Sequence, residues 1–355
     1  MSHFIQLHIL TTYAAANLNR DDTGKPKTLK FGGAERLRIS SQSLKRAFRQ
    51  SDVFADLLPV ALGTRSTAFA EALVKALTAR GLRPDDAIKR AEAVIDNDKL
   101  GKVKKGQART EQLVHLGPDE LSLLNDLADR LSGPDMPDLK GLTVLKDKPR
   151  AADIAMFGRM LADNSRFNVE AAVQVAHAFT THRVTVEDDY YTAVDDIKNA
   201  DQDQDRGAGF IGVQQYGAGL FYLYVCIDAN LLVANLSGDK PLAKATLEAL
   251  IRSVTTVSPT GKQNAFASRA KASYVLEEIG EESPRSLASA FQTPVGADGK
   301  NDFFADSVSR LSDLKAGFAK AYGEKLDSHI LAVGDPESQT LSDLVTAAQA
   351  VIDRI

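Results

Sequence analysis

The chain of 355 residues has one cysteine, no tryptophan and only four methionines. A lone thiol excludes a disulfide framework and points to a reducing compartment, the cytoplasm. Cys226 lies inside the apolar run LFYLYVCI, where it reads as core filler rather than a nucleophile. Long hydrophobic stretches are also missing. No run approaches the roughly 18 residues that a membrane helix needs, and the N-terminus has no signal-peptide core, so neither a membrane partner nor a secretory leader is expected. The six histidines are scattered, with no Cys/His cluster, which argues against a zinc site, and no GxSxG nucleophile elbow is present. No internal repeat or low-complexity tract stands out. What remains is a composition of 44% hydrophobic and 25% charged residues, enough for a real core in one elaborated domain or two.

The charge is unevenly placed. From Arg20 to Arg49 there are nine Lys/Arg against three Asp/Glu, in a chain whose net charge is −4. Such segregation is the electrostatic footprint of a polyanion site on an otherwise acidic protein. Within it, Ser40-Ser41 offer hydroxyl caps to a helix free of Gly and Pro. On that helix Gln42, Lys45, Arg46 and Arg49 fall within an arc of about 100°, opposite Leu44, Ala47 and Phe48. One face can therefore rest on a core while the other shows three cations and an amide, and the helix start adds N–H groups suited to phosphate. A Gly/Pro/Lys-rich loop, Asn19 to Lys30, leads into the helix, and Gly32-Gly33 just before it would let the backbone approach a ligand.

The rest of the chain reads as strands interrupted by two insertions. Phe4 to Thr12 alternates as a half-buried strand, with Ile5, Leu7 and Ile9 inward and Gln6 and His8 outward. Residues 168–183 alternate again, and Leu220 to Ile227 is their expected antiparallel partner. A helix over 241–257, a strand over 272–279 and two amphipathic helices, about 302–324 and 337–354, complete the chain. Strand, helices, strand, strand, helix, strand is the split βαβ order of ferredoxin-like and RRM-like domains, an α+β fold. Residues 51–150 then form a helical insertion and 183–217 a hairpin arm, leaving 1–50, 151–182 and 218–355 for the sheet domain.

Motif matches elsewhere fail on context. Gly207 to Gly212 matches GxGxxG, but an acidic DQDQDR loop precedes it and a strand follows, the reverse of a dinucleotide site. Thr260-Gly261-Lys262-Gln263 resembles the end of a P-loop, yet Thr256 replaces the first required Gly and Gln263 the metal-binding hydroxyl. Lys262 could still touch phosphate. The pairs Asp21-Asp22, Asp188-Asp189 and Asp195-Asp196 lie in loops or on the arm, where solvated charge is the ordinary reading. His177 and His182 face opposite ways along one strand, so no acid–base pair is expected. The arm, with Tyr190-Tyr191 and Tyr216 at its base, could wedge between bases, although Asp201, Asp203 and Asp205 would repel phosphates near its tip.

These residues resemble a known family. Asn19-Arg20-Asp21-Asp22, FGGAERLRISSQSLKRAFR (31–49), GRM (158–160), AHAFTTHRV (176–184), YTAVDD (191–196) and GKQNAF (261–266) are similar to the backbone subunit of the type I-E CRISPR Cascade complex. The resemblance implies an RRM-like palm, helical fingers (51–150) and a β-hairpin thumb (183–217). It implies copies stacked head to tail along a CRISPR guide RNA, beside other Cascade subunits. Each thumb would kink the RNA and leave its bases free to pair with target DNA. Carried over residue by residue, the RNA-binding set is Arg20, Ser41, Gln42, Lys45, Arg46, Arg49, Lys262 and Gln263, with Met160 as the apolar wedge at the kink. It implies no cofactor and no catalysis. A ferredoxin-like endoribonuclease that processes CRISPR transcripts and a generic RRM-type single-strand binder are the alternatives.

Overall fold

The computed structural model describes residues 2–193, 210–296 and 302–355. Its strands are β1 (Phe4–Ala16), β2 (Thr28–Phe31), β3 (Ala34–Ile39), β4 (Thr64–Ser66), β5 (Val103–Lys104), β6 (Arg109–Thr110) and β7 (Val114–Leu116). There follow β8 (Val173–Val175), β9 (Ala178–Thr180), β10 (Glu187–Ala193), β11 (Phe210–Asp228), β12 (Tyr274–Gly280) and β13 (Asp327–Ala332). Nine of them form one antiparallel sheet in the order β13-β12-β1-β11-β9-β3-β2, with β8 and β10 also paired to β11. Its centre, β12-β1-β11-β9, keeps the fourth-first-third-second arrangement of a split βαβ sheet. The fold is α+β.

Both faces of this sheet are covered. Ile5, Leu7, Ile9, Val225 and Val275 pack against helices Lys240–Thr256 and Leu341–Arg354. Leu10, Tyr222, Tyr274 and Leu276 pack on the other side, with Phe291 and with Leu311 of helix Phe303–Tyr322. The expected half-buried character of β1 is therefore corrected, since Gln6 and His8 are as buried as Leu7. Their polar atoms are paired except for Gln6 Nε2, which has no partner among the described residues. His8 Nδ1 meets the Tyr222 hydroxyl at 2.9 Å and Nε2 meets Glu278 at 3.1 Å, while Gln6 Oε1 accepts from Tyr224 Oη and Arg285 N. Burial lowers the His8 pKa despite the carboxylate beside it. Cys226 is buried in β11, opposite Gln6, and burial pushes its thiol up to about 11, which suits an inert core residue.

Three further readings of the sequence change. Residues 168–183 are not one strand but β8 and β9, because His177 leaves the ladder and its Nδ1 accepts from Arg38 Nη1 at 2.9 Å. The loop expected over Asn19 to Lys30 does not lead straight into the basic helix but runs into the β2–β3 hairpin, whose turn is Gly32-Gly33 at φ +59° and +75°. Gly32 approaches protein rather than ligand, since a Cβ there would lie 1.5 Å from the Gln292 carbonyl oxygen, whereas one on Gly33 would meet nothing within 4 Å. Between the last two helices, β13 adds an edge strand to β12.

The insertion carries helices Ala70–Ala79, Pro84–Asn97 and Pro118–Leu131, with the small pairs β4–β7 and β5–β6. Leu73, Leu77, Ala91, Ile95, Leu124 and Leu131 make a second core there, while Phe54 and Leu58 belong to the main one. The arm is β10 paired to the first half of β11, from Glu187↔Tyr216 to Ala193↔Phe210. Its expected tip, with Asp195-Asp196, Asp201, Asp203, Asp205 and the first half of the GxGxxG match, lies outside the described residues.

Candidate functional site

The basic helix, α1 (Ser41–Arg49), forms for the reasons its sequence suggests. The Ser40 side chain caps it by accepting from Ser43 N, and Leu44 and Phe48 are buried in the main core. Ala47 is only partly buried, so the apolar face is narrower than expected. Ser40 N donates to Asn19 Oδ1 at 2.8 Å, which ties the helix start to the loop that carries Arg20.

Two clefts flank α1. The first, about 1030 Å³, is lined by Arg20, Arg46, Lys262, Gln263, Arg269 and Lys271, among others. The second, about 1600 Å³, lies between α1 and the insertion and includes Gln42, Lys45, Arg46, Arg49 and Met160. Arg46 and Gln50 line both, and Arg46 Nε donates to Gln50 Oε1 at 3.0 Å. Thus eight of the nine residues singled out from the sequence gather at two adjoining grooves. Ser41, the first residue of α1, lines neither.

The charges on α1 are not equivalent. Lys45 has no ion pair among the described residues; its Nζ sits 5.5 Å from the Phe157 ring centre, and partial burial lowers its pKa. Arg46 likewise has no acidic partner there. Arg49 differs, because its Nε donates to Asp153 at 2.8 Å, and His115 also bonds this carboxylate, at 3.0 Å. Burial works to raise the Asp153 pKa, but the His115 bond and the charges of His115 and Arg49 outweigh it and hold the carboxyl below its usual range. Arg49 thus fastens α1 to the root of the insertion while lining the second cleft. Arg36, counted in the basic stretch, is fully buried and donates to the carbonyls of Thr180 and Phe291, a structural position remote from either groove.

Met160 is placed by its neighbours. Arg159 and Val169 exchange backbone hydrogen bonds, which sets an extended stretch after Gly158. Alternation then buries Arg159 and Leu161 and leaves Met160 84% exposed in the second cleft. Arg159 pairs with fully buried Glu120 at 2.6 Å, and its Nε and one Nη donate to the Phe167 carbonyl. Nothing in the GRM motif itself signals this pairing. Arg65, Lys99 and the exposed Leu113 also line the second cleft, from the insertion side, and nothing in the sequence but their charge or hydrophobicity signals them.

At the first cleft, the Lys262 loop presses on the end of β1. A Cβ on Gly261 would stand 2.3 Å from the Leu18 carbonyl oxygen, so only glycine permits this approach. Lys262 itself has φ +51°, ahead of the short helix Gln263–Phe266. Phe266 meets Tyr216 of the arm with ring centres 5.8 Å apart. Asp21 shapes its own loop: its Oδ1 accepts from Thr23 Oγ1, Thr23 N and Lys25 N, and these bonds, the Thr23 hydroxyl first, hold its pKa below the ordinary value. His177 and His182 do not meet; His182 stacks on Phe303 at 4.4 Å. Among the described residues no group of three or more His, Cys, Asp or Glu could hold a metal ion, and no helix is long and apolar enough to cross a membrane.

The chain is similar to solved structures over nearly its whole length. A chain of a pre-nicking CRISPR RNA-guided surveillance complex superposes with a TM-score of 0.86 at 30% identity, covering 98% of this chain and 100% of that one. A chain of a second CRISPR RNA-guided surveillance complex gives a TM-score of 0.62 at 26% identity, covering 98% and 99%. No curated relative matches. The model of the CT1975-like protein family matches residues 5–355, and the chain belongs to that family.

Proposed function

We propose that this chain is a component of a CRISPR RNA-guided surveillance complex, and within it the backbone subunit of a type I-E Cascade assembly. In this role it binds guide RNA, stacks head to tail with copies of itself and other subunits, and leaves the bases free to pair with target DNA. The observation that carries the reading is the pair of clefts astride α1, with Arg20, Lys45, Arg46 and Lys262 free of acidic partners among the described residues. Met160 stands exposed between cationic walls, where an apolar side chain can unstack neighbouring bases. The likeness to chains of RNA-guided complexes supports the same partner class.

Backbone contacts and shape suffice for such a protein, because base pairing carries the sequence information. A head-to-tail contact whose rotation does not close gives a helical filament, with its length set by the RNA. The subunit performs no chemistry of its own; it holds and bends.

Substituting Lys45→Ala together with Arg46→Ala is expected to weaken binding of single-stranded RNA about equally for unrelated sequences. The log–log salt slope should fall by about 1.4, some 0.7 per lost phosphate contact. Titration by fluorescence anisotropy at several salt concentrations measures both. Loss confined to some sequences contradicts backbone readout, and specific cleavage of labelled guide RNA by the pure protein contradicts a non-catalytic role.

A further inference from the structure

The first cleft holds two cations that the sequence reading did not mark. Arg269 and Lys271 lie just before β12, in a segment with a fixed frame. Ala270 exchanges hydrogen bonds with the Ser258 side chain at 3.2 Å, and Ala272 N donates to the Thr255 carbonyl at 2.8 Å. Ala272 is buried and Ala270 packs against the main core, so alternation turns Arg269 and Lys271 outward on the same side. Both are exposed, and neither side chain makes a hydrogen bond or ion pair among the described residues.

They are not alone. Arg20, Arg46 and Lys262 converge on the same cleft from three other parts of the chain, against the two acids Asp21 and Asp52. Asp21 already spends one oxygen on its own turn. Five cations on one wall-to-wall groove repel one another, and a groove of this kind raises the local concentration of an anionic ligand. Because Arg46 also lines the second cleft, a strand that passes Met160 and rounds α1 at Arg46 enters this groove next.

We infer that Arg269 and Lys271, with Lys262, form a second phosphate clamp on the far side of α1 from Met160, so that each subunit holds the RNA strand on both sides of the helix. This rests on the RNA-binding role proposed above and extends it to residues outside the α1 stripe. Two clamps on either side of an apolar wedge fix the strand's path before and after the bend, and the fixed frame lowers the ordering cost of the contact.

The test uses the full chain and an oligouridine long enough to span both clefts. In Arg269→Gln with Lys271→Gln, the salt slope is expected to fall by about 1.4, so that about 7-fold less affinity is lost between 50 and 200 mM salt than in the wild type. The melting temperature should stay unchanged, since neither side chain has a partner to lose. An oligonucleotide too short to leave the second cleft should bind the variant and the wild type alike. If the slope holds in this variant but falls in Lys45→Ala with Arg46→Ala, the second clamp is wrong and the RNA-binding reading survives. If both variants keep the wild-type slope, the RNA-binding reading fails as well. If oligouridine binding is intact but self-association is lost, the groove is a protein interface and the clamp is overturned.

Discussion

Arg159→Ala is expected to destabilise the folded chain by about 3–5 kcal/mol, as measured by urea unfolding. The cause is burial on both sides of the pair, with the Arg159 side chain 1% and that of Glu120 0% exposed. Removing the guanidinium leaves the Glu120 carboxylate with the Gly117 and Lys146 N–H groups but no countercharge. It also strips the donors from the Phe167 and Lys146 carbonyls. Arg159→Lys should fail to rescue, because one ammonium cannot reach carboxylate and carbonyls in the planar fork that Arg159 uses. Met160→Ala, by contrast, should leave stability within about 0.5 kcal/mol, as an exposed side chain does. Comparing the two separates the frame from the wedge: both should impair RNA bending, but only Arg159→Ala should lower the urea midpoint. An Arg159→Ala midpoint equal to wild type would contradict the ion-pair account.

Glu277 sets the second large effect. It lies on β12 between Leu7 and His329 of the neighbouring strands, is fully buried, and neither carboxyl oxygen has a hydrogen-bond partner among the described residues. Burial pushes its pKa up to about 8, from an ordinary 4.5. The folded chain therefore binds this proton more tightly than the unfolded chain. Stability from this group is present in full below about pH 4.5, falls as pH rises toward 8, and levels off above it. A shift of this size corresponds to about 5 kcal/mol across that window. Glu277→Gln should remove the slope, matching wild type near pH 4.5 and exceeding it in melting temperature near pH 9. A wild type whose stability holds steady from pH 5 to 8.5, with acidic-range groups accounted for, would show that the carboxyl has found a partner.

Elements with a strong local pattern were legible in the sequence. The Ser40 cap, the buried pair Leu44 and Phe48, and the cationic stripe of α1 follow from spacing alone. So do β11, β12 and the paired order of the central sheet. Short elements were not. TLKF and AERLRI carry too few residues to announce β2 and β3, and Gly32-Gly33 suits a ligand loop as well as a hairpin turn. β13 is an exposed edge strand whose half-polar pattern resembles a linker. β1 departs from the expectation because polar residues normally mark a solvent face, whereas here the His8–Tyr222–Glu278 network and the Tyr224 and Arg285 donors to Gln6 Oε1 hold them inside. At the site, the residues around α1 were legible because the cations cluster in sequence. Arg269 and Lys271 reach the same groove only through folding, and Arg49 and Arg36 lose some or all of their apparent freedom to partners far away in the chain.

β11 runs for 19 residues without interruption, first as one rail of the arm and then as a central stave of the sheet. At about 3.4 Å per residue this is a beam of roughly 60 Å. Its support lies near Gly217 and Gly219, where a Cβ would collide with Leu37 and Thr180 and where the pairing with β1 shifts register. A load applied to the outer end would bear on the seam beside the Lys262 loop, where Tyr216 rests against Phe266. In the proposed assembly, contact made with the arm and tension in a strand held beside the Lys262 loop would be two ends of a single lever.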